Sequence, residues 1–117
     1  MINEIVIIQN PVDKQEVAIH AENTFGDFVK AVVDIKKEIM AVGGELHADE
    51  EALLLESGSE QNDLWGINIY VDLPEEKMLE FDSMINIRPK QNNRSRGVEN
   101  EAIREKIIAV VNNLIKK

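Results

Sequence analysis

Two stretches of this 117-residue sequence carry side chains suited to chemistry. The first is Gly43-Gly44-Glu45-Leu46-His47-Ala48-Asp49. Paired glycines let a chain turn sharply or let a ligand approach the backbone. If the segment is extended, Glu45, His47 and Asp49 share one face. An imidazole among carboxylates can serve as an acid–base pair or as part of a metal set. The competing reading is a glycine turn followed by an acidic helix start, with His47 hydrogen-bonded locally. His20 is the only other imidazole, which excludes a three-His site. No metal and no cofactor are expected.

The second stretch runs from Ile85 to Gly97. Arg88, Lys90, Arg94 and Arg96 give it four bases and no acid from position 88 to 97, in a chain of net charge -9. Guanidinium forks suit phosphate or carboxylate, and Gln91, Asn92, Asn93 and Ser95 add neutral donors. It is not a phosphate loop of the glycine-rich type, because it lacks those glycines and the Gly-Lys-Ser/Thr ending. Glu45 to Asp82 holds twelve acids and one base. The loop therefore has three occupants to choose from: an anionic ligand, the acidic half of its own chain, or a second copy in a homodimer.

The elements that must position these groups are read from periodicity. Glu4 to Ile8 reads as a strand, ended by Asn10-Pro11. Asp13 is placed to cap a short helix with Val17 and Ala21 on one side. Residues 28–42 read as a strand, a turn at Lys36-Lys37 and a second strand, with one long helix as the alternative. Ala52 to Glu56 suits either a helix behind an acidic first turn or a doubly covered strand. Leu64 to Val71 is a strand with Trp65, Ile67, Ile69 and Val71 on one face and Gly66, Asn68 and Tyr70 on the other. Leu79 to Ile87 reads as the returning strand, with Asn86 and Arg88 outward and Ile87 inward. Asn100 caps a final helix whose apolar stripe includes Ile103, Ile107 and Leu114.

The expected fold class is α+β, a mainly antiparallel sheet of four to five strands with two or three helices on one face, in a single domain over 1–117. The other sheet face then carries Lys30, Asp34, Asn68, Tyr70, Asn86 and Arg88. The expected ligand-binding surface is Asn68, Tyr70, Asn86, Arg88, Asn93, Arg94 and Arg96, for a phosphate-bearing small molecule or an acidic protein segment. The alternative is a small hydrolase or transferase using His47 with Glu45 or Asp49. The two differ in whether His47 lies within reach of Arg88 and Arg94 in one cleft, which would favour the enzyme, or on the opposite side from them, which would disfavour it.

Composition narrows the field further. There is no Cys, so disulfides, thiol catalysis and cysteine-ligated metals are excluded. The longest apolar run is Ile107 to Val111, too short to span a bilayer. No leader is read at Met1, so the expectation is a cytoplasmic protein. Only five aromatics and a net charge of -9 make nucleic acid a poor partner.

Taken together, three segments resemble an uncharacterised prokaryotic family known only as a domain of unknown function. They are Gly43-Gly44-Glu45-Leu46-His47-Ala48-Asp49, then Leu64-Trp65-Gly66, then Ile85-Asn86-Ile87-Arg88-Pro89-x-Gln91-x-Asn93-Arg94-Ser95. The resemblance covers about residues 28 to 115. It implies a small standalone protein of bacteria or archaea, and no particular activity.

Overall fold

The structure, a computed structural model, describes residues 4–116. Its elements in chain order are β1 (Val6–Ile8), β2 (Val12–Asp13), α1 (Lys14–Glu22), β3 (Val29–Asp34), β4 (Ile39–Val42), α2 (His47–Glu56), β5 (Leu64–Ile69), β6 (Leu79–Glu80), α3 (Glu101–Leu114) and β7 (Ile115–Lys116). The fold is α+β, with a five-stranded antiparallel sheet in the order β1-β4-β3-β5-β6. A parallel pair, β2 with β7, ties the two ends together beside it.

Residues 28–42 resolve as a hairpin, because Val29, Val32, Val33 and Ile39 suit a pleated surface and Asp34 builds the turn. The Asp34 carboxylate accepts from the Lys36 and Lys37 amides at 2.9 Å and from Ser59 Oγ at 2.6 Å. Asn100 caps α3, accepting from the Ile103 amide at 3.1 Å. Asp13 stands at the start of α1, but its side chain makes no cap bond.

Sheet alternation divides the core. Val29, Ala31 and Val33 of β3 join Met40 and Val42 of β4 and Trp65, Ile67 and Ile69 of β5 on one face. α1 covers that face with Val17 and Ala21, and α3 with Ile107, Val111 and Leu114. Val32, Ala41 and Leu64 face the other way and meet Leu54 of α2. The face expected to be wet is therefore covered in part by α2. Beyond α2 it emerges at Lys30, Phe28 and Tyr70, where the rings of Phe25, Phe28 and Tyr70 pack in series at 4.8 and 5.1 Å.

The returning strand is shorter than its alternation suggests. Pairing stops at Glu80, and Met84–Asn86 form a 3-10 turn. Asn86 is buried rather than outward, and Ile87 is exposed rather than inward. The cause is a substitution of side chain for main chain. The Asn86 amide accepts from the Gly66 N–H at 2.9 Å and donates to the Gly66 carbonyl at 2.9 Å, filling the place of a neighbouring strand. Gly66 allows this approach, since a Cβ there would lie 2.6 Å from Ser83 Cβ and Oγ. Among the described residues, no helix is long and apolar enough to cross a membrane.

Candidate functional site

The glycine-histidine stretch is a turn and a helix start, not an extended segment. Gly43 has φ +100, and a Cβ there would meet the Glu4 carbonyl oxygen at 2.7 Å. α2 begins at His47, so Glu45, His47 and Asp49 do not share a face. Glu45 and Asp49 are exposed, while His47 is only 8% exposed. Among the described residues no group of three His, Asp or Glu side chains is arranged to hold a metal.

His47 Nε2 lies 2.8 Å from the Ile67 carbonyl oxygen. A carbonyl only accepts, so the proton resides on Nε2 and Nδ1 keeps a lone pair. Nδ1 has no partner among the described residues. Burial lowers the imidazole pKa below its usual 6.5, with the nearby Lys30 charge adding to the effect and the Ile67 bond opposing it. The ring is therefore a neutral acceptor at pH 7.

His47 lines a cleft of about 180 Å³ with Lys30, Leu46, Ala48, Asp82, Ser83, Met84, Ile85 and Arg96. The cleft lies where α2 stops covering the sheet. Its cations are Lys30, whose Nζ sits 5.3 Å over the Phe25 ring, and Arg96, whose Nε donates to Asp82 at 2.7 Å. The two terminal nitrogens of Arg96 are left without a partner among the described residues. Leu46 occupies the cap position of α2 and gives it no side-chain cap bond. The His47 and Ala48 amides thus join the cleft as open donors at a positive helix end.

Glu50, one turn further along α2, is fully buried. Its Oε2 accepts from the Gly44 amide at 2.9 Å, and Oε1 has no partner. Burial pushes its carboxyl up to about 9, against the pull of the Gly44 bond and the Lys30 charge. Gly44 leaves room for it, since a Cβ there would sit 3.0 Å from Glu50 Cγ. The sequence reading missed Glu50 because it sits in the acidic run 49–51. A usable signal existed: His47, Glu50 and Leu54 recur at helical spacing on one buried face.

The basic loop divides. Arg88 is half-buried, with its guanidinium 4.2 Å over the Trp65 ring and donating to the Gln61 and Leu64 carbonyls. Asn93 Nδ2 donates to the carbonyls of Asn86, Ser95 and Gly97, and its Oδ1 accepts from the Glu99 amide at 2.8 Å. Glu99 in turn takes the Arg94 and Ser95 amides on its carboxylate. Asn68 and Tyr70 both donate to Glu80. The Arg94 side chain is exposed and does not line the cleft. Of the predicted surface, only Arg96 shares a cleft with His47; Arg88 lies elsewhere, against Trp65.

A family model described as "Protein of unknown function (DUF5674)" matches residues 6–114. The chain belongs to this family. No curated protein and no solved structure matches it. The three motifs of this DUF5674 chain have distinct physical duties here. Gly43-Gly44 seats Glu50, Gly66 admits the turn at 83–86, and Asn86, Arg88 and Asn93 lock the loop that presents Arg96.

Proposed function

We propose that this domain binds a small oxyanion, a phosphate or carboxylate group, in the cleft between the start of α2 and Arg96. The observation that carries the reading is the concentration of open donors there. Lys30, Arg96 with two unpaired terminal nitrogens, and His47 and Ala48 with open amides all line one concavity, and the Asp82 carboxylate in it is already engaged by Arg96 Nε. Charge-assisted bonds from guanidinium and helix amides to an oxyanion are among the stronger protein hydrogen bonds. The anion-binding expectation for the basic loop thus narrows to its Arg96 end. His47 Nδ1 adds an acceptor, which suits an anion that still carries one hydroxyl, such as hydrogen phosphate.

The oriented neutral imidazole also favours a second reading, in which Nδ1 takes a proton from a bound substrate. His47 would then act without Glu45 or Asp49, which do not line the cleft. Calorimetric titration of the folded protein with inorganic phosphate tests the binding reading. Saturable binding should weaken at least tenfold in Lys30→Ala and in Arg96→Ala. Undiminished binding in the double variant would overturn it.

A further inference from the structure

The cleft has a charged floor and apolar lips. Nine large hydrophobic side chains of the described chain are substantially exposed. The two most exposed, Met84 at 66% and Leu46 at 56%, both line this one cleft. A single exposed apolar side chain is ordinary and needs no explanation. Two lining the cleft that holds these open donors are a different matter.

Leu46 is the more informative of the two. It stands at the cap position of α2, where Ser, Thr, Asp or Asn would satisfy a helix amide and would be at ease in water. Leucine does neither. The choice leaves the first amides of α2 open and sets an apolar surface beside them. Met84 lines the same cleft from the 3-10 turn, unbranched and adaptable, a side chain that moulds to varied apolar shapes. His47, only 8% exposed, lines the same cleft, and its Nδ1 has no partner among the described residues. A fully hydrated inorganic ion would use the floor and leave both lips idle.

We infer that the ligand is an amphiphilic oxyanion: a phosphate or carboxylate head seated on Lys30, Arg96 and the α2 amides, with an apolar body held between Leu46 and Met84. This rests on the oxyanion reading above and adds the chemical class of the rest of the molecule. The head supplies orientation and the body supplies much of the affinity, as in most small-molecule sites.

The test compares inorganic phosphate with phenyl phosphate, titrated into the wild-type protein, into Leu46→Ala/Met84→Ala, which adds no capping oxygen, and into Met84→Gln. The wild type should bind phenyl phosphate at least tenfold more tightly, which is about 1.4 kcal/mol. The double variant should lose that preference while its affinity for inorganic phosphate stays within twofold. Met84→Gln, an exposed single change, should lose part of it and guards against a fold defect in the double variant. Equal affinity of the wild type for both anions would overturn the inference while leaving the oxyanion reading intact. So would a tenfold preference that survives in both variants. Binding of neither anion would defeat the oxyanion reading itself, and the inference with it.

Discussion

The loop from Asn86 to Gly97 and the cleft at the start of α2 draw on similar residue types and use them in opposite ways. In the loop, polarity turns inward. The Asn86 and Asn93 amides are committed to the chain's own backbone: each Nδ2 donates to two or more carbonyls and each Oδ1 accepts a main-chain amide. Even the paired amides of Arg94 and Ser95, a natural anion seat, are filled by Glu99. Among the described residues, Arg88 Nε and Gln91 Oε1 are the loop's only buried side-chain polar atoms without a partner. In the cleft, by contrast, Nδ1 of His47, the first amides of α2 and two nitrogens of Arg96 remain open, and Leu46 and Met84 stand in water. A polar motif is a candidate site only in so far as folding has not already consumed it.

That contrast breaks first at Asn93. Asn93→Ala removes one acceptor and leaves three carbonyls short of a donor in a buried setting. At about 1–3 kcal/mol per orphaned buried group, with partial rescue by water, the loss should reach about 3 kcal/mol. Urea unfolding measures it, and a loss below about 1 kcal/mol would mean the loop is held by something else. Arg88→Ala comes next. It bares the Trp65 ring and frees two carbonyls, but the guanidinium is half-exposed, so about 2 kcal/mol is expected. Arg88→Lys should recover less than half, since an ammonium cannot lie flat on the ring while bonding both carbonyls.

On the cleft side, Glu50 gives a pH signature. Its folded pKa of about 9 lies above the usual 4.5, so the fold binds a proton the unfolded chain has released. The protonated carboxyl contributes stability that is complete below the unfolded value and is lost as pH rises through the folded one. His47, lowered by burial, works in the opposite sense and only as pH falls below its usual 6.5. Between pH 7 and 9 stability should therefore fall, by at most about 1.4 kcal/mol per pH unit. Glu50→Gln should flatten that slope and be the more stable protein at pH 8.5. A wild-type profile flat across this window would place the carboxyl in contact with water. The smallest effect belongs to Arg94→Ala, which should change stability by less than about 0.5 kcal/mol, because its exposed side chain makes no hydrogen bond or ion pair among the described residues and only a solvent-screened charge interaction with Glu99.

These residues also show what the sequence could and could not reveal. β5 was legible because Trp65, Ile67 and Ile69 alternate cleanly with Gly66 and Asn68. The helix α3 was legible from its Asn100 cap and apolar stripe. The strand read over 79–87 overran because polar–apolar alternation does not distinguish main-chain pairing from an asparagine that imitates it. The apolar Val32 and Ala41 on the supposedly wet face pointed to a cover there, which α2 supplies with Leu54. Most of the cleft was invisible because its members come from four separate places: Lys30, the start of α2, residues 82–85 and Arg96. No local spacing links them. Arg96 was picked out for its charge, and His47 as an imidazole among carboxylates; the turn at 83–86, packed over Gly66, lines the same cleft as both.

The most direct measurement is an amide chemical-shift titration of the full chain with phenyl phosphate. Saturable shifts should appear at Lys30, at Leu46 to Ala48, at Ser83 to Ile85 and at Arg96, with the amides of Arg88 to Arg94 unmoved. Shifts confined to Arg88 through Arg94, with the start of α2 silent, would contradict the account and return the site to the loop.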